Sequence, residues 1–189
     1  MLRIAIFASG NGTNAANIIQ YFENSSIARV VLVLSNNKDA KVLERAKKLQ
    51  VKSFCFDKED LYNSDAVAKQ LQSKVDFIVL AGFLLRIPVG IIQNFPNKII
   101  NIHPALLPKY GGKGMYGMKV HQAVKNNNDE ITGISIHYVN EHYDEGSIVF
   151  QKSVSIAKDD SFDQIAHKVH QLEHYYFPKI INAILLQNE

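Results

Sequence analysis

Seven apolar runs of strand length punctuate the chain, at positions 2–8, 30–35, 53–56, 77–81, 98–102, 133–139 and 148–155. Between them, apolar residues recur at the three–four spacing of helices, over 14–23, 40–49, 63–72, 88–95, 118–126 and 161–186. The run from Val30 to Leu34 has no polar member, which is the mark of a strand covered on both faces, as in parallel sheets. Strand–helix alternation over the first two thirds predicts an α/β chain with a doubly wound, mostly parallel sheet. The last two strands are joined by a turn and predict an antiparallel edge near the C-terminal third. Ser161 and Gln164 have capping-box spacing at the start of the last helix. Phe162, Ile165, Val169, Leu172 and Tyr176 then form one apolar stripe, and Pro178 is expected to kink or interrupt that helix.

The most informative stretch is Asn101-Ile102-His103-Pro104, where the fifth strand breaks into a loop. Residues two apart on a strand share a face. Asn101 and His103 therefore project together at a strand end, where open α/β sheets place their ligands. An amide donor beside an imidazole suits oxyanion stabilisation and proton transfer. A buried pair satisfied by backbone is the bland alternative. The following loop, 109–116, is rich in glycine and could serve as a lid or be a plain surface loop.

Ser9-Gly-Asn-Gly-Thr-Asn14 links the first strand to the first helix. Glycines there expose backbone N–H groups at a helix start, a cradle for an anion. Gly10, Gly12 and Ala15 also fit a loose dinucleotide fingerprint. The second strand, however, ends in Ser35-Asn36-Asn37 without the acidic residue a dinucleotide ribose requires. A single phosphate group fits better. Asp144 lies in the turn between the last two strands, where it is either an ordinary turn residue or a carboxylate that orients His103. The segment from Gly82 to Pro88 is a strand-to-helix connection that could line a pocket for a flat ring. His170, Glu173 and His174 match an inverted zinc-protease pattern, but no third ligand accompanies them, so they predict packing or outer-sphere roles and no metal.

Composition narrows the class. Net charge is +3 in 189 residues, with the lysines scattered, which suggests neither nucleic acid nor membrane as a partner. The single cysteine, Cys55, excludes an internal disulfide and is expected to be a packed core thiol. No run approaches membrane-spanning length. A cytoplasmic location is expected.

Taken together, these residues resemble the folate-dependent glycinamide ribonucleotide formyltransferases of purine synthesis. The similarity runs from the glycine loop to Glu173-His174; its most specific stretches are Asn101 to Tyr110 and Asp144-x-Gly146. The resemblance implies a Rossmann-like formyltransferase fold over 1–189, with a phosphate-binding half (1–100) and a catalytic, folate-binding half (101–189). It implies Asn101, His103 and Asp144 as a catalytic trio. It places substrate phosphate on Gly12, Thr13 and Asn14, and ribose hydroxyls on Glu173. The co-substrate 10-formyltetrahydrofolate would occupy a pocket formed by Leu84, Leu85, Arg86 and Ile87 with Asn140, Glu141, His142, Tyr143 and Asp144. The Leu107–Pro108 bond is expected to be cis. His170 stands where Gln is more common. A monomer or weak homodimer acting on glycinamide ribonucleotide is the expectation. The alternatives are another formyl-transferring or formylfolate-hydrolysing enzyme on the same scaffold, or a non-catalytic binder of a phosphorylated metabolite.

Overall fold

A computed structural model describes residues 1–187. Seven strands form one sheet in the order β3-β2-β1-β4-β5-β6-β7. The first five are β1 (Leu2–Phe7), β2 (Ala28–Ser35), β3 (Lys52–Cys55), β4 (Phe77–Leu80) and β5 (Ile99–His103), all parallel. β6 (Ile131–Tyr138) runs antiparallel to β5, and β7 (Ile148–Ser155) antiparallel to β6. The doubly wound sheet and its antiparallel edge are as the hydrophobic pattern predicts.

Helices cover both faces. On one, α1 (Thr13–Phe22), α2 (Lys41–Lys48) and α7 (Phe162–Gln187) meet Ile4, Ile6, Val33, Val79, Ile100 and Ile102. α1 does so because Ala15, Ile18, Ile19 and Phe22 repeat at helical spacing and are buried. On the other face, α3 (Lys58–Tyr62), α4 (Ala66–Leu71) and α5 (Val89–Asn94) cover Phe7, Leu34, Ile78, Leu80 and Ile99. Burying each large aliphatic side chain contributes about 1.5–3 kcal/mol. α6 (Met118–Asn126) packs against α7. Ile99, Asn101 and His103 point to the α5 face, while Ile100 and Ile102 anchor the strand from the other side.

Four expectations are corrected. The helix expected over 63–72 is the shorter α4, and α3 precedes it unexpected, because Asp57 caps a separate turn: it accepts from the N–H of Asp60, whose carboxylate accepts from the N–H of Asp57. Cys55 is exposed, since β3 is an edge strand paired only with β2. Phe162 is exposed, because it precedes the part of α7 that meets the sheet; the buried stripe runs Ile165, Val169, Glu173, Phe177 and Ile181. Pro178 does not interrupt α7. Lacking an N–H, it leaves the His174 carbonyl without its helical donor, and the Asn17 amide of α1 donates to that oxygen instead, at 2.7 Å.

Candidate active site

A cleft of about 620 Å³ opens at the carboxyl ends of β1, β4 and β5. Its floor is formed by Asn101 and His103, and Asn11 to Asn14 line one end. Gly12 adopts φ 72° just before α1 begins, and a Cβ there would collide with Val42. No other residue type fits this turn without displacing α2. The loop is braced from outside, with the Arg45 Nε–H donating to the Asn11 carbonyl at 2.8 Å. Ser9 ties three strand ends together: its hydroxyl donates to Asn36 Oδ1 and accepts from the Leu84 N–H.

From α7, Glu173 and His170 reach the same end. Glu173 Oε2 accepts from Asn14 Nδ2 and pairs with His170 Nδ1, each at 2.9 Å. His170 Nε2 lies 2.9 Å from the Thr13 hydroxyl. The hydrogen bond to Glu173 holds the His170 imidazole above its usual range. Thr13, His170, Glu173 and Asn14 thus form one chain joining α1 to α7.

At the other end, Asp144 approaches the strand pair from the β6–β7 connection, in a left-handed conformation with φ 58°. Its Oδ1 accepts from Asn101 Nδ2 at 3.3 Å; its Oδ2 accepts from the Gly112 N–H at 2.9 Å and lies 3.5 Å from His103 Nδ1. Burial opposes its charge, but His137, His103 and the Gly112 N–H outweigh burial and hold the carboxyl below its usual range. His137 sits opposite Asn101 in the β5–β6 register. Its Nδ1–H donates to the Tyr138 carbonyl, and its Nε2 lies 3.1 Å from Asn101 Nδ2 and 3.5 Å from Asp144 Oδ1. The Asn101 amide nitrogen is thus held between His137 and Asp144.

His103 Nε2–H donates to the Tyr110 carbonyl at 2.8 Å. Burial pushes this imidazole below its usual range, while Asp144 and the Tyr110 carbonyl pull it upward. Nδ1 is left facing a carboxylate, so it can take up a proton and have it stabilised in place.

A model of the formyl transferase family matches residues 2–181. The chain belongs to that family. It is 39% identical to a chloroplastic phosphoribosylglycinamide formyltransferase of Arabidopsis thaliana, over 96% of this chain and 65% of the relative, so it spans just under two thirds of that protein. It is 36% identical to the Bacillus subtilis phosphoribosylglycinamide formyltransferase, over 98% of this chain and 95% of the relative. A crystal structure of phosphoribosylglycinamide formyltransferase from Bacillus halodurans superposes with a TM-score of 0.88 at 34% identity, covering 99% of this chain and 97% of that one.

The family member's fold brings most of the sequence-selected residues together. Gly12, Thr13, Asn14, Leu84, Asn101, His103, Tyr143, Asp144 and Glu173 all line the main cleft. Leu85, Arg86, Ile87, Asn140 and His142 line an adjoining hollow of about 60 Å³, which shares Asn101, Tyr143 and Asp144 with the cleft. Glu141 lines neither and is exposed. The Leu107–Pro108 bond is cis. His137, His121 and the Tyr110 carbonyl were not foreseen. His137 had a usable signal, since Ser135 and His137 alternate with Ile134 and Ile136 just as Asn101 and His103 alternate with Ile100 and Ile102. Among the described residues, no three His, Cys, Asp or Glu side chains converge as a metal set, and no helix is long and apolar enough to cross a membrane.

Proposed function

We propose that this chain transfers the formyl group of 10-formyltetrahydrofolate to the primary amine of glycinamide ribonucleotide, a step of purine biosynthesis. The observation that carries this is the meeting of Asn101, His103 and Asp144 in a cleft whose far end is a glycine-loop helix start flanked by Glu173. Phosphate on the N–H groups of Gly12, Thr13 and Asn14, with ribose hydroxyls on Glu173, directs the amine towards β5. The folate ring enters beside Leu84 to Ile87 and the loop from Asn140 to Asp144.

The amine nitrogen bonds to the formyl carbon and the carbonyl oxygen becomes an oxyanion. Asn101 stabilises it by giving up its long contact to Asp144 and donating that proton to the oxyanion. His103 takes the proton lost by the amine on Nδ1, where Asp144 stabilises it, and returns it to N10 of the folate as the carbon–N10 bond breaks. One proton leaves the amine and one reaches the leaving nitrogen, so the transfer is balanced.

The test is an absorbance assay of 10-formylfolate consumption with and without glycinamide ribonucleotide. Turnover that depends on the ribonucleotide supports the assignment. Turnover without it means formylfolate hydrolysis, and no turnover with ribonucleotide binding intact means a phosphometabolite binder.

A further inference from the structure

His121 is the buried ionisable group of the cleft that the proposed chemistry leaves unused. It projects from the first turn of α6, is 6% exposed, and lines the cleft together with Asn14, His103 and Glu173. Its Nδ1 is fully enclosed and has no hydrogen-bond partner among the described residues. Enclosing a polar atom without a partner is costly, and a native fold that does so at a binding cleft is explained when a ligand supplies the partner. A second enclosed, unpartnered atom, Asn14 Oδ1, lines the same cleft, and its side chain is the one bonded to Glu173.

Position and charge narrow the contact. His121 lines the cleft with both Glu173 and His103, and a second hollow with Glu173 and His170. It therefore shares a wall with the carboxylate assigned to the ribose and with the imidazole assigned to the reacting amine. Burial pushes the ring below the usual imidazole range. A neutral imidazole offers one donor and one acceptor. The glycinamide link between ribose and amine offers the complementary pair, an N–H and a carbonyl.

Resting on the formyl-transfer reading above, we propose that His121 binds the ribonucleotide at the junction of ribose and glycinamide arm, its ring turning on binding so that the unpaired Nδ1 completes a hydrogen bond to the amide link. His121 is thus a specificity-determining residue that separates glycinamide ribonucleotide from phosphorylated riboses lacking the arm.

The experiment is calorimetric titration of wild type, His121→Leu and His121→Asn with two ligands, glycinamide ribonucleotide and ribose 5-phosphate. The Leu variant is expected to weaken the ribonucleotide by about tenfold or more and ribose 5-phosphate by less than about threefold. Asn, whose amide occupies the place of Nδ1, is expected to recover most of the loss. In turnover, the Leu variant raises KM for the ribonucleotide and leaves KM for formylfolate unchanged. Its melting temperature stays level or rises, because an unpaired polar atom has been removed. Unchanged ribonucleotide affinity, or an equal loss for both ligands, overturns the proposal. Should the Leu variant fail to fold, His121→Phe keeps the ring shape without nitrogens and takes its place in the comparison. Wild type that does not bind the ribonucleotide sinks the formyl-transfer reading, whereas wild-type binding with no effect at His121 sinks this inference alone.

Discussion

At the scale of single residues, Asp144 is the most constrained group in the cleft. Asn101 and Gly112 donate to it, His103 and His137 flank it, and its backbone lies in the left-handed region. Asp144→Asn is expected to lower kcat by about a hundredfold or more, on the scale of a lost oxyanion donor, because the proton on His103 loses its counter-charge. The formylfolate assay checks this, with the melting curve confirming an intact fold. Gly146 offers an indirect test of the same carboxylate. A Cβ there would run into the Tyr138 carbonyl. Gly146→Ala must therefore shift the β6–β7 connection and, with it, Asp144. We expect kcat to fall at least about tenfold while ribonucleotide affinity, set at the other end of the cleft, stays within about twofold; equal loss in both would contradict the separation of the two ends. These residues differed in how much of their role the sequence could carry. Asn101 and His103 were readable because the strand period puts them on one face. The alternation around His137 was equally readable, but its pairing with Asn101 needed the β5–β6 register, and His121 needed the packing of α6 on α7, neither of which is a local property.

At the scale of elements, the contact between α1 and α7 holds the substrate end together. Asn17 replaces the donor that Pro178 removes. Asn17→Ala is expected to destabilise the protein by about 1–3 kcal/mol, the range for a buried acceptor left unpaired. In a Pro178→Ala background the backbone N–H at 178 returns to that carbonyl, so the same Asn17 change should cost about half as much or less. Urea denaturation of the four proteins in this cycle measures the difference, and equal costs in both backgrounds would refute the compensation. The proline's effect on α7 could not be foreseen from a sequence 161 positions away from Asn17 along the chain. Strand existence was legible, because apolar runs bounded by turns are a local signal. The capping box at Asp57 was also present in the sequence, but charged Lys58, Glu59 and Asp60 offered no apolar period to mark the helix.

At the scale of the molecule, buried imidazoles set the response to pH. His103, His121 and His174 are all pushed below the usual imidazole value of 6.5, in each case chiefly by burial. Below that value the unfolded chain binds protons that the native protein resists, so stability falls as pH drops. His170 is shifted the other way by Glu173, and its contribution is complete below 6.5 and lost as pH rises through its raised value. That side chain is 44% exposed, so solvent screens its share. The melting temperature is expected to decline steadily from about pH 7 to pH 5 and to change little just above neutrality. A flat profile over the acid range would mean that these rings charge freely in the native protein. The sheet order also has a practical consequence. The chain's one thiol, Cys55, is exposed on the outermost strand, and three strands separate it from the one that carries Asn101 and His103. At about 4.8 Å per strand spacing, that is about 19 Å from the floor of the cleft. A maleimide dye or biotin can therefore be attached at one defined place without engineering the chain, and molecules tethered through it would all present the cleft in the same orientation.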